Sequence, residues 1–229
     1  MDWTYLVLVL PFVLLAMLAS ARVKSVYRKY AAVCSRRGLT ADEAARRVLA
    51  AGGVTGVSMD RIQGDLTDHY DPRANAIRLS DSVAGSTSVA AIGVACHEAG
   101  HAIQHATAYA PLNLRTAMVP VVQFGSQIGV WVILAGAMLN IMGLALLGVA
   151  LFSASVLFAI VTLPVEWDAS ARAKKLMVAS GIVIPSEERD AGSVLNAAFL
   201  TYVGAAVSSI GTLLYYLVRL GLIGGRRRD

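Results

Sequence analysis

Three stretches of this 229-residue chain, residues 3–21, 116–165 and 191–218, carry no charged side chain at all. They constrain the fold more than any other feature, because about 20 consecutive apolar residues make one helical membrane crossing. The middle stretch is 50 residues long, enough for two crossings, and each of the others suffices for one. With 56% apolar and only 15% charged residues, the chain is too apolar for a soluble domain of ordinary composition. The fold class that follows is a mostly α membrane protein with four transmembrane helices. Residues 1–22 form an anchor, 116–163 a helical hairpin and 191–223 a last helix. The polar segments 23–115 and 164–190 lie outside the bilayer, and 224–229 is a basic tail.

The first stretch is not read as a cleaved leader. Asp2 precedes it, it has no basic n-region, and it ends in no A-x-A site. Arg22, Lys24, Arg28, Lys29, Arg36, Arg37, Arg46 and Arg47 follow it, and that density of cations places segment 23–115 in the cytosol and the N-terminus outside. The net charge of +5 is accounted for by this topology and by anionic lipid headgroups. No stacking or groove-reading motif accompanies the cations, so nucleic acid is not expected as a partner. Asn140 and Gly143 mark the turn of the hairpin, whose second arm returns the chain to the cytosolic side. Four crossings also leave Arg226, Arg227 and Arg228 outside, against the same charge preference. Gln123, Ser126 and Gln127 share a helical stripe, which either bonds another helix or lines a substrate approach.

In segment 23–115 the anchor helix is expected to run on to about Arg37 and stop at Gly38. Thr40 and Glu43 form a capping box for a helix through Ala51, which Gly52 and Gly53 end. Short alternating runs at 57–63 and 75–80 then read as strands of a small sheet. Ile77 and Leu79 fall on one face, so the second strand is expected to lie on the following helix and expose a backbone edge to an extended peptide. Asp68, His69, Tyr70 and Asp71 form a polar cluster between the strands, which either lines a cleft or belongs to a turn, where such residues are common.

Residues 88–106 read as one helix that carries Cys96-His97-Glu98-Ala99-Gly100-His101. His97 and His101 are four residues apart, so both imidazoles face one ion, with Glu98 close by. This is the pattern of a zinc hydrolase. Three protein ligands leave a fourth position for water, and the glutamate takes the water's proton. Ala99 and Gly100 allow another element to pack close to this turn. Cys96 diverges from His97 by about 100° and reads as a packed thiol, and both Cys34 and Cys96 fall on the reducing side of the membrane. His105 is two turns from His97, too far to share one ion, and reads as a rim residue. The third ligand is Glu166, because a carboxylate at the inner end of a membrane helix is costly unless it is bound. Pro164 is expected to open a new helix there. Ser170, one turn further on, is placed to hydrogen-bond a ligand. Candidates for an oxyanion donor, on residue type alone, are Tyr70, Tyr109, Arg172 and Tyr202.

The motifs Asp68-His69-Tyr70-Asp71-Pro72, Ile77-Arg78-Leu79-Ser80, His97 to Gln104, Tyr109-Ala110-Pro111-Leu112 and Leu163-Pro164-Val165-Glu166 together resemble the bacterial YugP-type family of neutral membrane zinc metallopeptidases. More distantly, the order of metal helix, membrane hairpin and Glu166 resembles the HtpX-type membrane proteases. That resemblance implies a gluzincin-like site with His97, His101 and Glu166 on Zn2+ in a zincin-like α+β cytosolic part. The HtpX-type group carries Asp where this chain has Ser170, which leaves the outer partner open between Ser170 and Asp168. The implied activity is a membrane-bound metalloendopeptidase of the bacterial inner membrane, with its site on the cytosolic side. Its partners are protein or peptide substrates and the lipid bilayer. The alternative is a membrane scaffold that keeps zinc for folding alone.

Overall fold

The computed structural model describes residues 2–224, apart from the side chains of Phe124, Ser126 and Gln127. The stripe read at Ser126 and Gln127 and the tail arginines 226–228 therefore lie outside the described residues. Seven helices and three strands follow in the order α1 (Trp3–Leu8), α2 (Leu10–Ala31), α3 (Ala41–Ala51), β1 (Ser58–Ile62), β2 (His69–Asp71), β3 (Ala76–Ser80), α4 (Val89–Ala106), α5 (Ala110–Met138), α6 (Met142–Ala179) and α7 (Pro185–Arg219). The backbone divides into two units. One comprises Ser20–Asn113 and Pro164–Leu200, and the other comprises the rest of the described chain.

The second of these units is built from apolar helix segments. Trp3–Ala31, Met142–Ala179 and Pro185–Arg219 are each long and apolar enough to cross a membrane. A fourth crossing arises only if α5, bent by 45° between Gln123 and Ile128, counts as one span. Within this unit α5 and α6 approach so closely that a Cβ on Gly148 would lie 2.5 Å from the Ile133 nitrogen and 2.7 Å from the Gly129 oxygen. Glycine and alanine permit such contact where lipid-like side chains supply no driving force of their own. The turn falls at Asn140, whose positive φ of 55° suits asparagine, whereas Gly143 is already inside α6.

The other unit is organised around α4, which is apolar almost all round and buried along most of its length. Its core joins Ala44 and Val48 of α3, Ile77 and Leu79 of β3, Ile92, Ala95 and Ala99 of α4, Ala173 and Met177 of α6, and Ala191 and Leu195 of α7. The capping box forms as expected, with Glu43 N bonding Thr40 Oγ1 and Thr40 N bonding the Glu43 carboxylate. Ser88 caps α4 by accepting from Ala91 N. Cys96 is fully buried in this core, and burial pushes its thiol pKa well up.

Four expectations are corrected here. First, α2 stops at Ala31 rather than near Arg37. The start of α4 captures the chain beyond it, with Val89 N bonding Val33 O at 2.8 Å and Ser35 N bonding Thr87 O at 2.9 Å. Second, residues 69–71 are a strand rather than a turn. The sheet order is β1-β3-β2, with β1 parallel and β2 antiparallel to β3. Asp68 fixes this register by accepting from Ser80 N and Oγ, and Asp71 pairs with Arg78 at 2.9 Å. Third, β3 is consequently paired on both sides and exposes no backbone edge; the sheet's outer edges belong to β1 and β2. Fourth, Pro164 opens no helix: it lies inside α6, which runs on from the apolar stretch to Ala179.

Candidate metal centre

Two helices of the α4-centred unit supply the site. One turn of α4 separates His97 from His101, so their rings meet edge to face with centroids 4.6 Å apart. Glu166 enters from α6. Its approach depends on Gly100, where a Cβ would lie 2.5 Å from the Ala169 oxygen and 3.1 Å from the Ala169 carbonyl carbon. Both obstacles are backbone, so the helices must separate for any larger residue. Gly100→Ala is therefore expected to destabilise the chain by about 1–3 kcal/mol, the usual range for overpacking. A thermal melt of the variant checks this, and a melt identical to wild type means that the helices do not approach so closely.

The structure brings His97, His101 and Glu166 together as one ligand-capable group. His97 Nε2 lies 3.1 Å from His101 Nε2 and 3.2 Å from Glu166 Oε2, and His101 Nε2 lies 3.5 Å from the same oxygen. Bonds of about 2.0–2.1 Å at tetrahedral angles would set ligand atoms about 3.3–3.4 Å apart, so a zinc-sized ion fits this triangle. The chemistry of the donor set agrees. Gln104 Nε2 faces the Val165 carbonyl at 2.8 Å and the Asp168 carboxylate at 2.9 Å, both acceptors. Its Oε1 must then face His101 Nδ1, 3.0 Å away, which places the proton of a neutral ring on Nδ1 and bares Nε2. Ser170 Oγ stands 3.1 Å from His97 Nδ1 and allows the same tautomer there. With that tautomer at both rings, two bare nitrogens and a carboxylate converge, an arrangement suited to a cation.

Electrostatics point the same way. Burial alone would lower the His101 pKa, but hydrogen bonding to and the charge of Glu166 outweigh it, and the pKa lies above its ordinary value. In the metal-free chain a proton therefore competes for this position increasingly as pH falls.

Glu98 is nearly buried, and its Oε2 accepts from Tyr70 N at 2.8 Å, so the outer edge of β2 holds the carboxylate. Tyr70 Oη is shared between Asn75 Oδ1 and His105 Nδ1, each at 2.8 Å. His105 thus braces β2 and stays out of the ligand group. Of the other donor candidates, Arg172 binds Asp168 through Nε at 2.6 Å and sits over the Tyr109 ring, while Tyr202 belongs to the other unit. Sequence reasoning set Ser170 against Asp168 as outer partner, and the structure gives each a place: Ser170 beside His97, and Asp168 behind Gln104. It passed over Gln104. The available signal was a polar residue three positions after His101, on a helix otherwise apolar enough to be a core element.

Comparison with known proteins agrees with this geometry. The family described as "Putative neutral zinc metallopeptidase" matches residues 5–221. A relative from Bacillus subtilis (strain 168), described as "Putative membrane protease YugP", is 44% identical over 200 residues, covering 87% of this chain and 89% of the relative. No solved structure matches. Matched over nearly its whole length, and with a relative of this identity, the chain belongs to this YugP-type family of zinc metallopeptidases.

Proposed function

We propose that this chain is a membrane-bound zinc metalloendopeptidase that hydrolyses peptide bonds of membrane or membrane-adjacent proteins. His97, His101 and Glu166 would hold one Zn2+, and Glu98 would act as general base. The observation that carries this reading is the convergence of three ligand-capable atoms within 3.1–3.5 Å of one another, with both Nδ1 positions engaged from behind. When bound, zinc supplies a Lewis acid and lowers the pKa of a coordinated water to roughly 7. Glu98 is suited to take that water's proton: Tyr70 N fixes Oε2, and the described residues engage Oε1 in no hydrogen bond. Ser170 and Gln104 keep the two rings in place and in the required tautomer. In this reading the bent α5 counts as the fourth crossing, and the cations after the anchor put the site on the cytosolic side of a bacterial inner membrane.

The test uses the full chain in detergent with a casein-type or denatured membrane protein as substrate. Cleavage should disappear with a chelator and return with added zinc. Cleavage that persists unchanged under chelation overturns the zinc-peptidase reading. One zinc per chain with no cleavage of any substrate would favour the scaffold instead.

A further inference from the structure

We propose that a cleft beside α2 binds the phosphodiester headgroup of a membrane glycerophospholipid, with Lys24 and Arg28 as its cations. The cleft has a volume of about 380 Å³ and is lined by Lys24, Tyr27, Arg28, Asp65, Leu66 and Ser82. Lys24 and Arg28 are one helical turn apart on α2 and present their charges on the same side. Among the described residues neither makes an ion pair within 4 Å, so both cations remain available to a ligand. Tyr27 and Ser82 both line the cleft, Ser82 Oγ lies 3.3 Å from Ser80 Oγ, and Ser80 Oγ donates to Asp68. Hydroxyls thus line the cleft beside the two charges.

Position along α2 selects the ligand. The uncharged stretch 3–21 comprises 19 residues, about 28 Å of helix, which matches a hydrocarbon layer about 30 Å thick. Lys24 then stands about 5 Å and Arg28 about 10 Å beyond Ala21, at the depth of the headgroups that flank this layer. Leu66 is an exposed leucine with a φ of 55°, a conformation rarely adopted by such a residue, and it sets an apolar side chain on the rim beside the cations. Two cations, hydroxyl donors and an apolar rim at this depth suit a phosphodiester joined to a glycerol and acyl chains. Asp65 offers a place for an amine where the headgroup carries one. The inference stands apart from the proposed peptidase reaction and does not depend on it.

The test uses the full chain, delipidated in a neutral detergent, with four probes: dioctanoyl phosphatidylglycerol, dioctanoyl phosphatidylethanolamine, dioctanoylglycerol and inorganic phosphate. Binding is read by native mass spectrometry and by the shift in unfolding temperature. At least one phospholipid should bind and stabilise the wild type, while dioctanoylglycerol and inorganic phosphate at equal concentration should not. Lys24→Gln with Arg28→Gln should weaken that binding by tenfold or more, since each cation near a lipid phosphate contributes severalfold. Arg46→Gln with Arg47→Gln, which removes equal charge from exposed positions of α3, should leave it within twofold. Four results overturn the proposal: equal binding by the Lys24/Arg28 variant, equal loss in the Arg46/Arg47 variant, equal stabilisation by dioctanoylglycerol, or inorganic phosphate acting as well as the lipids. The last would make the cleft a free-phosphate site.

Discussion

Replacing Glu98 with glutamine should lower peptide hydrolysis by about 10²- to 10⁴-fold, the usual contribution of a positioned general base, while zinc stays near one per chain. The amide preserves the shape of the side chain, and its oxygen can still accept from Tyr70 N, the bond that ties Glu98 to the edge of β2. What it loses is basicity, because an amide oxygen does not take up a proton near neutral pH. Since Glu98 is outside the group formed by His97, His101 and Glu166, metal content should be insensitive to the change. Paired measurements of turnover and zinc stoichiometry decide the matter. Wild-type turnover, or a chain emptied of zinc, would remove Glu98 from the role assigned to it.

Glu166→Ala and Asp168→Ala should behave very differently although the two positions are neighbours on α6. Residues two apart on a helix point about 200° from each other, and the structure follows that geometry. Glu166 Oε2 faces both histidines, whereas Asp168 faces Gln104 and Arg172. Removing Glu166 deletes one of three proposed ligands, and zinc should leave on dialysis together with all activity. Asp168→Ala removes one of the two acceptors that orient Gln104. The Val165 carbonyl still holds the amide, so affinity should fall by no more than the 10- to 100-fold typical of outer partners. Metal analysis after dialysis separates the cases. An empty Asp168→Ala protein beside a full Glu166→Ala protein would exchange the two roles.

How much of this was legible in the sequence depended on whether side chains or backbone carried the information. The four-residue spacing of His97 and His101, the Thr40–Glu43 box and the apolar alternation at Ile77 and Leu79 are side-chain patterns with a fixed period, and each appears where that period puts it. β2 was hidden because it is three residues long, carries no apolar alternation, and is held by backbone pairing with β3 and by carboxylate bonds to Ser80 and Arg78. Its pairing also removed the free edge expected of β3. The end of α2 was hidden for a similar reason: nothing in Ala32 to Arg37 breaks a helix, and the bonds that divert it come from Thr87 and Val89, more than fifty residues away. Pro164 misled locally. Proline often opens a helix, but here α6 continues through it and brings Glu166 to the histidines with the phase that spacing alone would give. Gln104 could not be placed from sequence, since its meaning lies in Val165 and Asp168 on another helix.

The separation of the ligand group along the chain governs when the site can exist during synthesis. His101 precedes Glu166 by 65 residues, and the uncharged stretch 116–165 occupies most of that interval. At about 5–20 residues per second, a ribosome makes the second part of the group some 3–13 s after the first. Throughout that delay a nascent chain carries the histidine pair without its carboxylate. The proposed hydrolase is therefore silent until α6 has been made and has folded against α4, so completion of the hairpin acts as its own licence for activity.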